Sequence, residues 1–95
     1  MAYRLSRKAE ADLLDIYRAG VEAFGRDQAE RYFATLETTF DFLAEYPRAA
    51  RERLEITPPV RVHPCRAHMI IYVIEGADIF ILRLRHGRED WESGL

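Results

Sequence analysis

Two apolar runs in the last third of the chain limit what it can fold into. Met69–Ile74 and Ile79–Leu84 are rich in Ile, Val, Tyr and Phe, the residue types that suit a pleated strand. Glu75-Gly76-Ala77-Asp78 separates the runs, and a short loop that contains glycine between two such runs is typical of a β-hairpin. Residues 66–91 therefore predict a hairpin around which the rest of the chain must pack.

Neither strand of this hairpin has a plainly polar face. Alternation along the first strand gives two sets of side chains: His68, Ile70, Tyr72 and Ile74 on one face, and Met69, Ile71 and Val73 on the other. We expect helices from the N-terminal half to cover one face. The second face is too apolar to be left in water, which indicates a binding partner.

Size and composition indicate one soluble domain. The chain has 95 residues, of which 48% are hydrophobic and 32% are charged. No apolar run approaches the roughly 18–20 residues that a membrane span needs, and the N-terminus lacks the apolar segment of a secretory signal. The single cysteine, Cys65, has no partner for an internal disulfide, as expected in a reducing cytoplasm. We therefore predict a single cytoplasmic domain over residues 1–95, without membrane contact.

Charge is distributed unevenly, although the net charge is only −2. Residues 1–47 have three more acidic than basic groups, residues 48–88 have four more basic than acidic groups, and the last seven residues have three acidic groups. Thirteen of the fourteen basic residues are Arg, whose guanidinium binds carboxylates and phosphates bidentately. The basic stretch is thus expected either to be simply solvated or to face an acidic protein or a nucleic acid.

The N-terminal quarter predicts a short strand followed by a helix. Ser6 is a good N-cap, and apolar residues then recur at helical spacing as far as Phe24. Charges in the first turns are mixed, because Asp12 suits the helix dipole whereas Arg7 and Lys8 oppose it.

A second amphipathic helix is expected over about residues 26–46. Gly25 separates it from the first helix, and Pro47 ends it. Because the break is so short, the two helices must fold back as an antiparallel hairpin.

Residues 48–58 have no clear period and are expected to form a loop that can include a short helical turn. A short strand over Val60–His63 follows, and Pro64 limits it to an edge or a bulge. The predicted order is β-α-α-β-β-β. This is an α+β fold in which a helical hairpin packs on one face of a small, mostly antiparallel sheet.

Four segments, in this order, resemble the ParE branch of the RelE/ParE toxin superfamily. YRLSRKAEADLLDIY looks like the family's opening, and FLAEYP resembles the usual end of its second helix. VRVHPCRAHMIIY resembles its Arg-bearing strand and the strand with an apolar-apolar-Tyr step. ILRLRHGREDW is similar to its Ile-x-Arg-x-x-His-Gly-x-x-Asp close. The resemblance covers nearly the whole chain and agrees with the topology predicted from periodicity.

The resemblance implies the toxin of a type II toxin–antitoxin pair. Such ParE-like toxins form a hetero-oligomer with a small, often ParD-like antitoxin, whose C-terminal segment wraps around the toxin. Those studied typically act on DNA gyrase, whereas the related RelE branch cleaves messenger RNA on the ribosome. We predict a non-enzymatic gyrase inhibitor that needs no cofactor and does not by itself bind a specific nucleic-acid sequence. The alternatives are a ribosome-dependent endoribonuclease and an inert module that only binds antitoxin.

The nuclease alternative would use Arg83, Arg85 and His86. Metal-free RNA cleavage needs a base, an acid and cations for the phosphate. In a regular strand Arg83 and Arg85 share one face, whereas His86 shares the other with Leu82 and Leu84. The base and the phosphate-binding groups would then lie on opposite sides of the sheet, which favours the non-enzymatic interpretation.

For a non-enzymatic toxin we predict two sets of contact residues. Those expected to face the antitoxin are Arg61, Tyr72 and Arg83, and those expected to contribute to toxicity are Arg85, His86, Arg88 and Trp91. We expect the apolar second face of the sheet and the groove beside the helical hairpin to bind the antitoxin. An antitoxin arm would supply apolar anchors to this hydrophobic surface and carboxylates to the arginines of residues 48–88. Structural alternatives are an ion pair between Arg83 and a carboxylate of the helices or tail, and a Trp91 that folds back on the helices.

The other histidines and the cysteine have structural interpretations. His63 and His68 can approach each other on adjacent strands, but no third ligand is evident, so we predict no metal site. His86 is expected to hydrogen-bond its neighbours at the end of the strand. Cys65 has no evident partner base and is expected to be a small buried thiol.

Overall fold

The computed structural model describes residues 2–87, which form two helices on one face of a five-stranded sheet. The elements in chain order are β1 (Tyr3–Leu5), α1 (Arg7–Phe24), α2 (Arg26–Glu45), β2 (Glu52–Arg53), β3 (Val60–Cys65), β4 (His68–Glu75) and β5 (Asp78–His86). The sheet order is β1-β5-β4-β3-β2, and β1 is parallel to β5 whereas the other pairs are antiparallel. The predicted α+β fold, with a helical hairpin on a mostly antiparallel sheet, is confirmed.

The segment between α2 and β3 differs from the expectation. The prediction of a loop over residues 48–58 is wrong at Glu52–Arg53, which pair with the first two residues of β3. A strand of two residues is too short to show a period, so the sequence pattern could not reveal it. Pro64 lies beyond this pairing, at an edge position of the kind predicted for it.

Ser6 joins β1 to α1 and attaches both to β5. Its Oγ accepts a hydrogen bond from the Ala9 amide at 3.0 Å, which confirms the predicted N-cap. The same hydroxyl donates to the carbonyl of Leu82 at 2.6 Å, and the Ser6 amide donates to the carbonyl of Ile81 at 2.9 Å. The first turn of α1 is therefore held against β5 at the point where β1 ends.

Gly25 ends α1 and begins α2. Its amide donates to the carbonyl of Val21 at 2.9 Å, and its carbonyl accepts from the Ala29 amide at 3.1 Å. The residue has φ 89° and ψ 165°, a combination that is essentially restricted to glycine. A single residue therefore reverses the chain and produces the predicted helical hairpin.

We expect Gly25→Ala to lower the free energy of unfolding by about 1–3 kcal/mol. No atom lies within 4 Å of the position that an added Cβ would occupy, so the loss would come from backbone strain and not from crowding. Urea denaturation of the two proteins would measure the difference. Equal midpoints and slopes would contradict the prediction.

The predicted hairpin of β4 and β5 has a tighter turn than expected. Glu75 pairs with Asp78, so the loop consists of Gly76 and Ala77 instead of four residues. Gly76 has φ 61° and Ala77 does not have a positive φ, the pattern of a type II′ turn with glycine in its first central position.

A bulge divides β5. Ile71 lies opposite Arg83 and Tyr72 lies opposite Ile81, which leaves Leu82 as the extra residue. Leu82 consequently packs on the face of the sheet away from the helices, and Leu84 packs on the helix side. The prediction that these two leucines share a face is wrong, because one extra residue reverses the alternation of a strand.

The helices cover the face of β4 that carries Ile70 and Tyr72, as predicted, while Ile71 lies on the opposite face. The largest fully buried side chains on the helix side are Leu36, Phe40, Leu43, Ile70, Tyr72, Ile79 and Ile81. In the part of the chain that the structure describes, neither helix is long and apolar enough to cross a membrane.

Candidate partner-binding surface

The face of the sheet away from the helices, called here the outer face, is apolar and only partly covered. Ile71 is fully buried on it, because Ile56 from the segment between β2 and β3 belongs to the same packed cluster. Met69, Val73 and Leu82 pack against this cluster and remain half-buried. The chain therefore covers part of the surface for which the sequence indicated a partner, and leaves a smaller apolar area exposed.

A cavity of about 310 Å³, called here the outer cavity, opens where the outer face meets the start of α1. It is lined by the apolar residues Pro58, Val60 and Leu82 and by Ser6, Arg7, Lys8 and Arg83. An apolar floor with a cationic rim suits a segment whose apolar side chains are flanked by carboxylates.

Two of the cationic residues of this rim, Arg7 and Lys8, were not among the predicted contact residues. Both are exposed in the first turn of α1, where a positive charge opposes the helix dipole. That unfavourable placement was the signal in the sequence, since residues that violate a local rule are frequently found at functional sites.

Arg83 is bound by Asp12 of α1. Its Nε donates to Asp12 Oδ2 at 2.8 Å and its Nη2 donates to Oδ1 at 3.0 Å. The Leu84 amide also donates to Oδ2, at 2.9 Å. The predicted ion pair between Arg83 and a helix carboxylate is confirmed, and its contact with the antitoxin stays a prediction. Asp12 was noted in the sequence only for its favourable place near the start of α1 and was not identified as the partner of Arg83, although it lies one turn from Ile16 beside the apolar stripe of α1.

Arg61 and Tyr72 lie opposite each other on β3 and β4 and hold the loop that follows α2. The Tyr72 hydroxyl donates to the carbonyl of Pro47 at 2.8 Å, and Arg61 Nη1 donates to the carbonyl of Ala50 at 2.7 Å. Tyr72 is 0% exposed, and burial raises the pKa of its phenol. The antitoxin contact predicted for Arg61 and Tyr72 stays a prediction. Because Tyr72 is fully buried, its effect on the antitoxin would have to pass through this loop.

Tyr32, His68 and His86 meet where the Gly25 end of the helical hairpin faces the sheet. The Tyr32 hydroxyl lies 2.7 Å from His68 Nδ1 and accepts a hydrogen bond from the Ala67 amide at 3.2 Å. The ring centroids of His68 and His86 are 5.4 Å apart. Burial is the main cause of a raised pKa for Tyr32. The end of β5 is thus packed against the turn that precedes β4.

His63 and Cys65 have structural surroundings. The His63 ring lies tilted against the ring of Phe42, with 5.9 Å between centroids, and burial lowers the pKa of the imidazole. Cys65 is buried with its Sγ 3.3 Å from Thr39 Oγ1, which confirms the expected small buried thiol. Among residues 2–87, no group of three or more His, Cys, Asp or Glu side chains is placed to bind a metal ion.

The predicted toxicity residues lie at and beyond the end of β5. Arg85 is opposite Met69 on the outer face, and His86 is opposite His68 towards the helices. The strand alternates regularly here, but both residues line one cavity of about 250 Å³ together with Arg83. The structure therefore brings together the three residues of the nuclease alternative, and the predicted separation of the base from the phosphate-binding groups by the sheet is not found. Arg88 and Trp91 lie outside the described residues.

Known proteins are similar to this chain in both sequence and fold. A family model described as "ParE toxin of type II toxin-antitoxin system, parDE" matches residues 3–91. The chain belongs to the ParE toxin family. Toxin ParE1 of Mycobacterium tuberculosis is 34% identical over 94 residues, which cover 98% of this chain and 96% of that protein. Toxin ParE of Escherichia coli is 31% identical over 95 residues, which cover 99% of this chain and 92% of that protein.

A solved structure also resembles this ParE-family chain. The structure described as "Chromosomal ParDE TA system from P. aeruginosa" matches with a TM-score of 0.78 and 25% sequence identity, covering 90% of this chain and 95% of that chain. The resemblance to ParE toxins found in the sequence is therefore confirmed. This ParE-family chain is the toxin component of a type II toxin–antitoxin system.

Proposed function

We propose that this ParE-family toxin is neutralised by a ParD-like antitoxin whose arm binds the outer face and the outer cavity. The observation that carries the proposal is the half-buried Leu82 next to the cationic side chains of Arg7 and Lys8. An antitoxin arm with apolar residues and carboxylates would bury Leu82 and neutralise the charges of Arg7 and Lys8. The resulting complex is a hetero-oligomer of toxin and antitoxin.

The bulge in β5 supports this proposal. Because Leu82 is the extra residue, it faces outward beside Val73 and Met69, and together they enlarge the apolar area of the outer face. Arg83 lines the same cavity, and its guanidinium is bound by Asp12. Arg83 would therefore contribute a fixed wall to the antitoxin site.

We expect the double substitution Arg7→Glu and Lys8→Glu to weaken binding of the cognate antitoxin by about tenfold or more. The reversal replaces two attractive charges at the rim with two repulsive ones, so the association rate should fall and its dependence on salt should weaken. Arg26→Glu with Arg31→Glu is the matched control, since these exposed residues make the same change in net charge on α2. Calorimetric titration of each variant with antitoxin measures the affinity. Equal losses of affinity in the two double variants would contradict the proposed site.

We further propose that the free toxin inhibits DNA gyrase by protein–protein contact. Supporting this are the resemblance to ParE-like toxins that act on gyrase and the ion pair by which Asp12 binds the Arg83 guanidinium. A metal-free nuclease needs cations that are available to the phosphate, and here a carboxylate already binds one of the candidate arginines. Arg85 and His86, together with Arg88 and Trp91, are the residues proposed to contribute to toxicity.

The test adds purified, antitoxin-free protein to gyrase and relaxed plasmid and follows supercoiling. We expect supercoiling to be lost with accumulation of cleaved DNA, and to return when antitoxin is added in excess. Normal supercoiling in the presence of folded protein would rule out gyrase as the target. Cleavage of ribosome-bound messenger by the same preparation, abolished in His86→Ala, would instead support the nuclease alternative.

A further inference from the structure

Aromatic side chains are exposed at the end of α2 and in the turn that follows it. Phe42 is 43% exposed and Tyr46 is 55% exposed. Their ring centroids are 5.3 Å apart, and the ring of His63 on β3 lies 5.9 Å from that of Phe42. Single exposed apolar residues are normal on a protein surface, whereas neighbouring aromatic rings are typical of a protein–protein contact.

These rings belong to a shallow depression of about 520 Å³, called here the α2-end surface. Its lining residues are Phe42, Glu45, Tyr46, Pro47, Arg48 and Ala49. The outer cavity is lined by none of these residues. The α2-end surface is therefore a separate feature of the molecule.

One acidic and one basic side chain flank the centre of the α2-end surface. Glu45 directly precedes Tyr46 and Arg48 directly follows Pro47, and both charged residues are exposed. The ion pairs formed within residues 2–87 include neither of them. A two-fold rotation about an axis near the Tyr46–Pro47 bond would place Glu45 of one copy opposite Arg48 of a second copy. The surface is thus complementary to itself, as a contact between identical chains requires.

We propose that the α2-end surface is a contact between two copies of this chain, related by a two-fold axis. The rings of Phe42 and Tyr46 would be covered at its centre, and two equivalent pairs of Glu45 with Arg48 would form at its sides. A partner of one charge sign is disfavoured, because it would be repelled by one of the two charged residues.

The size of the surface indicates a weak dimer. Six residues line it, whereas a stable complex has about 20–30 residues on each side. The dimer should therefore form in proportion to the toxin concentration. Neither the antitoxin nor gyrase takes part in this contact, so its test uses the toxin alone.

Sedimentation equilibrium of the antitoxin-free toxin at increasing concentration measures the association. We expect the apparent mass to rise from that of the monomer towards twice that value and no further, because a two-fold contact closes on itself. A monomer at every concentration up to the solubility limit would overturn the proposal. Continued growth beyond the dimer would also overturn it, since that requires a contact between unlike surfaces.

Charge-reversed variants locate the contact by complementation between two chains. Glu45→Arg places two positive charges on the surface and Arg48→Glu places two negative ones, so each variant alone should associate about tenfold more weakly. An equimolar mixture of the two variants should recover the association, since every charge then faces its opposite. A mixture that associates no more tightly than either variant alone would overturn the proposed pairing.

Matched substitutions on α1 test for a general effect of charge. Glu22→Arg and Arg18→Glu make the same changes in net charge at exposed positions that do not line the α2-end surface. We expect each to change the association less than about twofold, and their mixture to bring no gain. Recovery in this mixture that equals the recovery in the first would show attraction between net charges and would overturn the assignment.

A serine variant tests the aromatic centre without any change in charge. Phe42→Ser should weaken the association about tenfold, because it removes an aromatic ring that the second copy would cover. Phe24→Ser is the control, since Phe24 is 69% exposed and does not line this surface. Circular dichroism of both variants verifies that they are folded. Equal losses of association in the two folded variants would overturn the assignment to the α2-end surface.

Discussion

Asp12→Ala is expected to lower the free energy of unfolding by about 3 kcal/mol, because one carboxylate accepts three hydrogen bonds in a partly buried position. Two of them come from the Arg83 guanidinium and one from the Leu84 amide. The side chains of Arg83 and Asp12 are only 22% and 15% exposed, so water replaces the lost acceptor poorly. Chemical denaturation of both proteins gives the difference.

Asp12→Asn is the matched variant for this ion pair. It keeps a side-chain oxygen that can accept from Leu84 but removes the negative charge, so we expect a loss of about 1–2 kcal/mol. A double-mutant cycle with Arg83→Met isolates the coupling between the two side chains. A coupling energy near zero would contradict a stabilising pair, whatever the single variants show.

The same contact links stability to the proposed antitoxin site. β1 pairs with β5 only as far as Ile81, and beyond that point the N-cap residue Ser6 and Asp12 of α1 bond to the backbone of β5. These bonds hold the first turns of α1, and with them Arg7 and Lys8, next to Leu82. We therefore expect Asp12→Ala to weaken antitoxin binding as well, through displacement of the cationic rim.

Local signals in the sequence predicted the helices and their ends. Ser6 has a side chain that caps a helix, Gly25 adopts a backbone conformation that other residues avoid, and Pro47 cannot continue a helix. Each of these effects depends on one residue and its immediate neighbours. For that reason the boundaries of α1 and α2 could be predicted to within a residue or two.

Features that depend on strand pairing were harder to predict. The bulge at Leu82 arises from the register between β4 and β5, and β2 exists because the start of β3 offers hydrogen bonds to Glu52–Arg53. Neither is encoded in a periodic pattern. The parallel pairing of β1 with β5 likewise joins segments more than 70 residues apart in the sequence.

The sequence predicted the chemical character of the candidate site better than it predicted the residues that form it. The arginine-rich stretch and the apolar second face indicated an acidic, apolar partner, but the cationic rim comes largely from Arg7 and Lys8, in the acidic half of the chain. Folding brings them to Leu82 through Ser6 and β5. Only the three-dimensional arrangement relates these distant residues to one surface.

Tyr72→Ala is expected to be among the most destabilising single substitutions, with a loss of about 3–5 kcal/mol. Among residues 2–87, Tyr72 is the largest fully buried side chain and is 0% exposed, so alanine leaves a cavity under the helices. It also removes the hydroxyl that donates to the carbonyl of Pro47. Thermal or urea unfolding measures the effect, and a loss below about 2 kcal/mol would contradict the packing described here.

Tyr72→Phe separates the hydroxyl from the ring. Only the hydrogen bond to Pro47 is lost, so we expect a loss of about 1 kcal/mol and an unchanged fold. Because the ring is enclosed, antitoxin affinity should change only as far as the loop held by Tyr72 and Arg61 shifts. An affinity loss of more than tenfold in a variant that is still fully folded would mean that the hydroxyl meets the antitoxin directly. That outcome would require the loop after α2 to open on binding, since no part of Tyr72 reaches the surface of the free toxin.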